Sequence, residues 1–117
     1  MTRGQLGENI ATEYLLKKGF RLIEKNYHSR FGEIDIIMCD DKYLLFVEVK
    51  LRKNSKYGTP AEYVTESKQQ KIILTAQSFL SENETDLQPR FDVIEIYMKQ
   101  TSEKPDSILH IENAFEA

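Results

Sequence analysis

Two stretches of the chain carry apolar residues at the spacing of an α-helix. In the first, near the start of the chain, the apolar positions are Leu6, Ile10, Ala11, Tyr14 and Leu15. Gly19 follows them and predicts the end of this helix, because glycine adopts the left-handed backbone of a helix C-terminus at little cost. The second helix is predicted from about residue 66 to residue 81, and its expected buried stripe is Ile72, Ile73, Ala76, Phe79 and Leu80. A short helical turn is expected before it at "TPAE", where Thr59, Pro60 and Glu62 have the form of a capping box.

Five other stretches have the composition and bounds of β-strands. They are "FRLIEKNY", "GEIDIIM", "YLLFVEVKL", "RFDVIEIYM" and the weaker "SILHIENA". The turn-rich "CDDK" joins the second of these strands to the third and predicts a hairpin. The order is therefore α-β-β-β-α-β-β, which predicts an α/β layer structure with helices covering a mixed sheet. A chain of 117 residues supports one cooperative core, so we expect a single domain that spans residues 1–117.

Composition excludes several classes of protein. Cys39 is the only cysteine, so no disulfide can form within the chain, and two histidines far apart in sequence do not make the usual zinc site. No apolar run approaches the length of a transmembrane helix, and residues 1–10 lack the apolar core of a signal peptide. We therefore expect a cytoplasmic protein with no membrane partner.

Charge is distributed unevenly along the chain. The formal net charge is −3, which argues against a general polyanion binder. Residues 1–81 nevertheless hold 13 Lys or Arg against 10 Asp or Glu, whereas residues 82–117 hold 3 against 9. Between residues 50 and 71 there are six basic residues and two acidic ones. A local basic face is thus one interpretation, and a solvated surface of mixed charge is the other.

Four charged residues interrupt the two most apolar strands. Alternation places Glu33 and Asp35 on one strand face, and Glu48 and Lys50 on one face of the next strand. A hairpin centred on the "CDDK" turn pairs Asp35 with Glu48 and Glu33 with Lys50. Facing residues of an antiparallel pair have Cβ atoms about 4.5–5.5 Å apart. The sequence therefore predicts two carboxylates in close proximity within a half-buried sheet.

Two close carboxylates repel each other, and burial makes each resist ionisation. A divalent cation between Asp35 and Glu48 would remove this conflict, and oxygen ligands without His or Cys suit Mg²⁺ or Mn²⁺. Lys50 could then hold a water or offset charge on a phosphate. The alternative is a surface hairpin whose acids face water. Leu44 and Phe46, on the same face as Glu48, argue against it.

The ordered motifs "GEIDII", "FVEVKLR", "YGTPAEYV" and "RFDVI" resemble the PD-(D/E)-x-K nuclease superfamily, and more narrowly the YraN family of small predicted endonucleases. The resemblance covers about residues 4–96. It implies a restriction-endonuclease-like fold, a three-layer core with a mixed central sheet flanked by helices. The superfamily proline before the first acid is absent, since Ile34 precedes Asp35. Asn26 and Asp92 also belong to the motifs, and we interpret both as structural residues that bond the backbone or basic partners.

The resemblance also assigns roles to residues. It implies that Asp35 and Glu48 bind the metal, Mg²⁺ or Mn²⁺, and that Lys50 is the catalytic lysine. Glu8 of the first helix would add a third carboxylate, as in archaeal Holliday-junction resolvases. The expected catalytic set is therefore Glu8, Asp35, Glu48 and Lys50.

Further residues are expected around this set. Glu33 is expected to pair with Lys50 or to act as an outer ligand. Related nucleases often place a helix Gln or Lys near the metal, so Gln69 or Lys68 is expected there, with plain exposure at a helix start as the alternative. The candidate phosphate-binding residues are Arg30, Arg52, Lys53, Lys56 and Lys68.

Together these features predict a metal-dependent DNA endonuclease that works by in-line attack of a metal-held water on the phosphodiester. Branched or flapped DNA is the expected substrate by family-level analogy, and RNA remains an alternative. A domain of this size cannot surround a DNA duplex, so we expect a homodimer or a partner protein. The competing hypothesis is a non-catalytic nucleic-acid-binding or adaptor domain with the same fold. The intact set of acids argues against it, because a module that only binds a polyanion has no use for carboxylates facing it.

Overall fold

The computed structural model of the protein describes residues 1–53 and 64–117. Its elements, in chain order, are α1 Arg3–Lys17, β1 Arg21–Ser29, β2 Gly32–Cys39, β3 Tyr43–Arg52, α2 Glu66–Glu82, β4 Gln88–Tyr97 and β5 Ser107–Phe115. The predicted order α-β-β-β-α-β-β is confirmed. The helical turn predicted at Thr59, Pro60 and Glu62 lies outside the described residues.

The five strands form one mixed sheet in the order β1-β2-β3-β4-β5. β3 and β4 are parallel, whereas the other three neighbouring pairs are antiparallel. α2 lies between β3 and β4 in the chain, as expected for a connection between parallel strands. The predicted mixed sheet is confirmed.

One helix packs on each face of the sheet, which gives the predicted three layers. The α1 face is filled by Ala11, Leu15, Ile36, Met38, Leu45, Val47, Ile94, Ile96 and Met98. The α2 face is filled by Ile34, Ile37, Leu44, Phe46, Ile72, Ile73, Ala76, Phe79 and Phe91. The stripe predicted for α2 is thus buried, with Leu80 partly buried at its edge. Neither helix in the described ranges is both long and apolar enough to cross a membrane.

The helix ends are set by local contacts. Thr2 caps α1 through a capping box with Gln5, and Gly19 has the positive φ of +99° that was expected after the last turn. The Thr65 hydroxyl accepts a hydrogen bond from the backbone N–H of Lys68 and caps α2. This cap fixes where α2 starts.

Candidate active site

The β2–β3 hairpin has the predicted register, and the strands part where its charged residues begin. The paired residues run from Cys39 and Leu44 to Ile36 and Val47, where the ladder ends. The next pair in this register would be Asp35 and Glu48. There the backbone N–H of Val49 donates to Asp35 Oδ2 at 2.8 Å. A side-chain oxygen thus satisfies a strand N–H beyond the end of the ladder, and the strand edges open at this point.

Asp35 and Glu48 form a close pair of carboxyl groups. Asp35 is half-buried, and Glu48 is only 8% exposed. Burial, followed by the negative charge of Glu48, raises the pKa of Asp35 from 3.8 to about 7. Asp35 is therefore about half protonated at neutral pH. The same oxygens are the hard donors that Mg²⁺ and Mn²⁺ prefer, so the chemistry of the pair fits either ion.

Two lysines flank the pair. Lys68 Nζ, from the first turn of α2, lies 3.7 Å from Glu48 Oε2. The sequence makes both Lys68 and Gln69 candidates for this position, and it is Lys68 that lies beside Glu48. Lys50 is half-buried two residues beyond Glu48 on β3, and it makes no ion pair with any residue in the described parts of the chain. Its ammonium group is therefore available for a water or a phosphate.

Glu8 approaches the site from α1. It is half-buried, and its Oε1 accepts a hydrogen bond of 3.0 Å from Asn26 Nδ2 on β1. Asn26 itself stands opposite Asp35, because its chain neighbours Lys25 and Tyr27 pair with the two neighbours of Asp35 on β2. Glu8 is thus linked to the strand position opposite Asp35, and the side-chain partner of Asn26 is an acid rather than the predicted backbone or basic group.

The three predicted metal ligands do not form a ready-made cluster. No group of three or more His, Cys, Asp or Glu side chains is arranged to hold a metal among residues 1–53 and 64–117. Asp35 and Glu48 form a pair, and Glu8 bonds Asn26 through Oε1. Like charges repel, so a third carboxylate has no reason to join the pair without a cation.

Glu33 and Gln69 have partners that the sequence analysis did not foresee. Glu33 is exposed, and its carboxylate lies 3.5 Å from Nε2 of His28, its neighbour on β1. The expected pairing with Lys50 is not observed, because the β2–β3 ladder ends at Ile36. The Gln69 amide donates to the carbonyl of Val64 at 2.9 Å and thereby stabilises the start of α2.

The candidate phosphate-binding residues differ in their surroundings. Lys53 is exposed at the end of β3, and Arg30 is exposed next to the ring of Phe31, with 4.9 Å between Arg30 Cζ and the ring centroid. Arg52 Nε is ion-paired at 3.0 Å with Oε1 of Glu95. Lys56 lies outside the described residues.

Glu95 was missed by the sequence analysis. It is 1% exposed near the C-terminal end of β4, and in the parallel register it stands beside Lys50. Its Oε2 has no hydrogen-bond partner within the described ranges. The available signal was a lone acid inside the apolar run "DVIEIY" of a predicted buried strand.

Asp92 has the structural role that was predicted. It is fully buried and accepts two hydrogen bonds from the Arg90 guanidinium, at 2.9 and 2.8 Å. His110 Nε2 lies 2.7 Å from the same carboxylate, and the backbone N–H of Asn113 donates to it at 3.0 Å. These partners compensate the burial of the charge and tie β4 to β5.

Comparison with known proteins identifies the family. The family described as "Uncharacterised protein family UPF0102" matches residues 7–96. A UPF0102 protein of Caldanaerobacter subterraneus subsp. tengcongensis is 44% identical over 115 residues, which cover 97% of this chain and 94% of that protein. A UPF0102 protein of Clostridioides difficile is 45% identical over 114 residues, with 97% and 96% covered. A third, from Vibrio parahaemolyticus, is 46% identical over 96 residues, with 80% and 79% covered. The chain therefore belongs to the UPF0102 family, the YraN family that its motifs resemble.

Proposed function

We propose that this protein is a metal-dependent endonuclease that hydrolyses phosphodiester bonds in DNA. The observation that carries the proposal is the Asp35–Glu48 pair, two carboxyl groups held together at the point where β2 and β3 separate. Such a pair disfavours folding, and hydrophobic or hydroxyl side chains would serve a purely structural sheet better. A cation site explains why the two acids stand there.

Asp35 and Glu48 would hold the ion, and Glu8 would complete the set from α1. When bound, Mg²⁺ or Mn²⁺ would supply Lewis-acid stabilisation of the phosphate and lower the pKa of a water. The ammonium group of Lys50, on the same strand as Glu48, orients the attacking water and offsets charge that develops on the phosphate. Lys68, beside Glu48, restrains that carboxylate until the substrate phosphate is present.

Basic residues around the point where β2 and β3 separate would bind the phosphates of the substrate backbone. Arg30, Arg52, Lys53 and Lys68 are the described candidates, all with exposed or partly exposed side chains, and Lys56 completes the predicted group. Branched or flapped DNA suits a small module that acts as a homodimer or with a partner protein. This substrate class follows from the superfamily analogy alone.

The test is a cleavage assay of the purified protein with Mn²⁺ on junction, flap, single-stranded and duplex DNA, and on matched RNA. Asp35→Asn serves as the control, because it keeps the size and the Val49 contact but lacks the charge. We expect the wild type to cut at least one DNA substrate and the variant to cut none. A wild type that binds DNA but cuts nothing in the panel, alone or with cell extract, would support the non-catalytic adaptor instead.

A further inference from the structure

Asn26 has an unusual backbone conformation in the middle of β1. Its φ is +54°, in the left-handed region that residues other than glycine rarely adopt, although asparagine tolerates it better than most. Successive side chains of a regular strand point to opposite faces. Here both Lys25 and Asn26 reach the same helix, since Lys25 Nζ donates to Asn9 Oδ1 at 2.7 Å and Asn26 Nδ2 donates to Glu8 Oε1 at 3.0 Å. The left-handed residue thus turns its side chain back toward α1.

The position of Asn26 connects this contact to the candidate site. The pairs Lys25–Ile36 and Tyr27–Ile34 flank it, so Asn26 faces Asp35 across the β1–β2 ladder. Its amide therefore spans from the strand position opposite Asp35 to the carboxylate of Glu8. A simple tether between helix and sheet is already provided one residue earlier by Lys25 and Asn9.

The chemistry of the donor matters as much as its position. An amide NH₂ donates hydrogen bonds without adding a positive charge. Glu8 accepts through Oε1, and it makes no ion pair with any residue in the described ranges. Its carboxylate is thus oriented by a donor that brings no positive charge next to it. An arginine or lysine in this place would orient Glu8 equally well but would compete with the metal.

We propose that Asn26 is a positioning residue that holds the Glu8 carboxylate as a ligand for the divalent cation. The inference rests on the proposed function, since it requires a cation at the Asp35–Glu48 pair. Partners of this kind, which orient a metal ligand through hydrogen bonds, typically change metal affinity about 10–100-fold when they are removed. The strained backbone at Asn26 is then explained by the direction in which its amide must point.

The decisive variant is Asn26→Gly. Glycine adopts a positive φ without strain, so the backbone of β1 is preserved while the amide is lost. We expect the melting temperature in EDTA to stay equal or rise, and the Kd for Mn²⁺, measured by calorimetric titration, to weaken about 10–100-fold. Asn113→Gly is the matched control, because Asn113 also has a positive φ, +52°. Asn113 lies on β5, at the opposite edge of the sheet from β1, and its amide bonds Glu116. That control should leave Mn²⁺ affinity unchanged.

A double-mutant cycle with Glu8→Gln shows whether Asn26 acts through Glu8. In the Glu8→Gln background, Asn26→Gly should weaken Mn²⁺ binding by less than about twofold further. If Asn26→Gly weakens Mn²⁺ binding in the Glu8→Gln background as much as it does in the wild type, the proposal is overturned, because Asn26 then does not act through Glu8. Unchanged Mn²⁺ affinity in Asn26→Gly, or a marked fall in its melting temperature in EDTA, would also overturn it, since either makes Asn26 a purely structural residue. A wild type that binds no Mn²⁺ would instead remove the proposed function itself.

Discussion

Replacing Asp35 with Asn should stabilise the metal-free protein at alkaline pH. The pKa of Asp35 is about 7 in the folded protein against 3.8 for an ordinary aspartate, because of burial and then the charge of Glu48. Between these two values the folded protein retains a proton that the unfolded chain releases. The free energy of unfolding therefore falls as pH rises from about 4 to about 7, and the whole penalty is present above pH 7.

The size of the effect follows from the same two pKa values. They differ by about three, and one pKa unit corresponds to about 1.36 kcal/mol, so the penalty is at most about 4 kcal/mol. Water at the half-buried carboxyl reduces it, and we expect about 2 kcal/mol. Asn is neutral and of the same size, and its Oδ1 can still accept from the N–H of Val49. Asp35→Asn should thus raise the melting temperature at pH 8 by about 8 °C.

Urea unfolding followed by circular dichroism at pH 4, 6 and 8 in EDTA measures the effect directly. The difference between Asp35→Asn and the wild type should shrink to less than about 0.5 kcal/mol at pH 4. Adding Mg²⁺ or Mn²⁺ at pH 8 should stabilise the wild type by linkage but leave the variant unchanged. Glu33→Gln removes an exposed carboxylate on the same strand that raises the pKa of Asp35 less than burial and Glu48 do, so it should give a much smaller change of the same sign. A variant less stable than the wild type at pH 8 in EDTA would refute the reasoning, as would equal stabilisation of both proteins by the metal.

Three other predictions test separate parts of the molecule. Lys50→Ala removes the ammonium group but no carboxylate, so the affinities for Mn²⁺ and DNA should stay near normal. Cleavage should slow at least about 100-fold, as expected for loss of a charge-stabilising contact. Equal cleavage rates in the variant and the wild type would exclude Lys50 from the chemistry. Joint replacement of Lys53 and Lys56 by Ala should reduce the slope of log affinity for DNA against log salt by about 1–2. An unchanged slope would mean that other basic residues, for example Arg30, bind the phosphates. Asp92→Asn should destabilise the fold by about 3 kcal/mol in chemical denaturation, because its buried basic partners lose a charged acceptor; a change below about 0.5 kcal/mol would mean that those contacts contribute little.

The positions of the helices and strands were determined by the sequence, because the signals that specify them are local. The apolar stripe from Ile72 to Phe79 and the strand "FVEVKL" can be recognised within a few residues of chain, and both lie where they were predicted. The hairpin register was predictable for the same reason, since a short turn and a side-chain period of two leave little choice. Together these local rules were sufficient to bring Asp35 next to Glu48.

What only the tertiary structure decided depends on contacts between distant parts of the chain. The ladder ends at Ile36, so Glu33 meets His28 rather than Lys50, and no periodicity shows where two strands part. The left-handed backbone of Asn26 matters only because α1 brings Glu8 within 3.0 Å of its amide. The pKa of Asp35 likewise results from burial under packed layers and from the charge of a neighbouring strand. Such energies depend on distance and burial in three dimensions, which the order of residues along the chain does not contain.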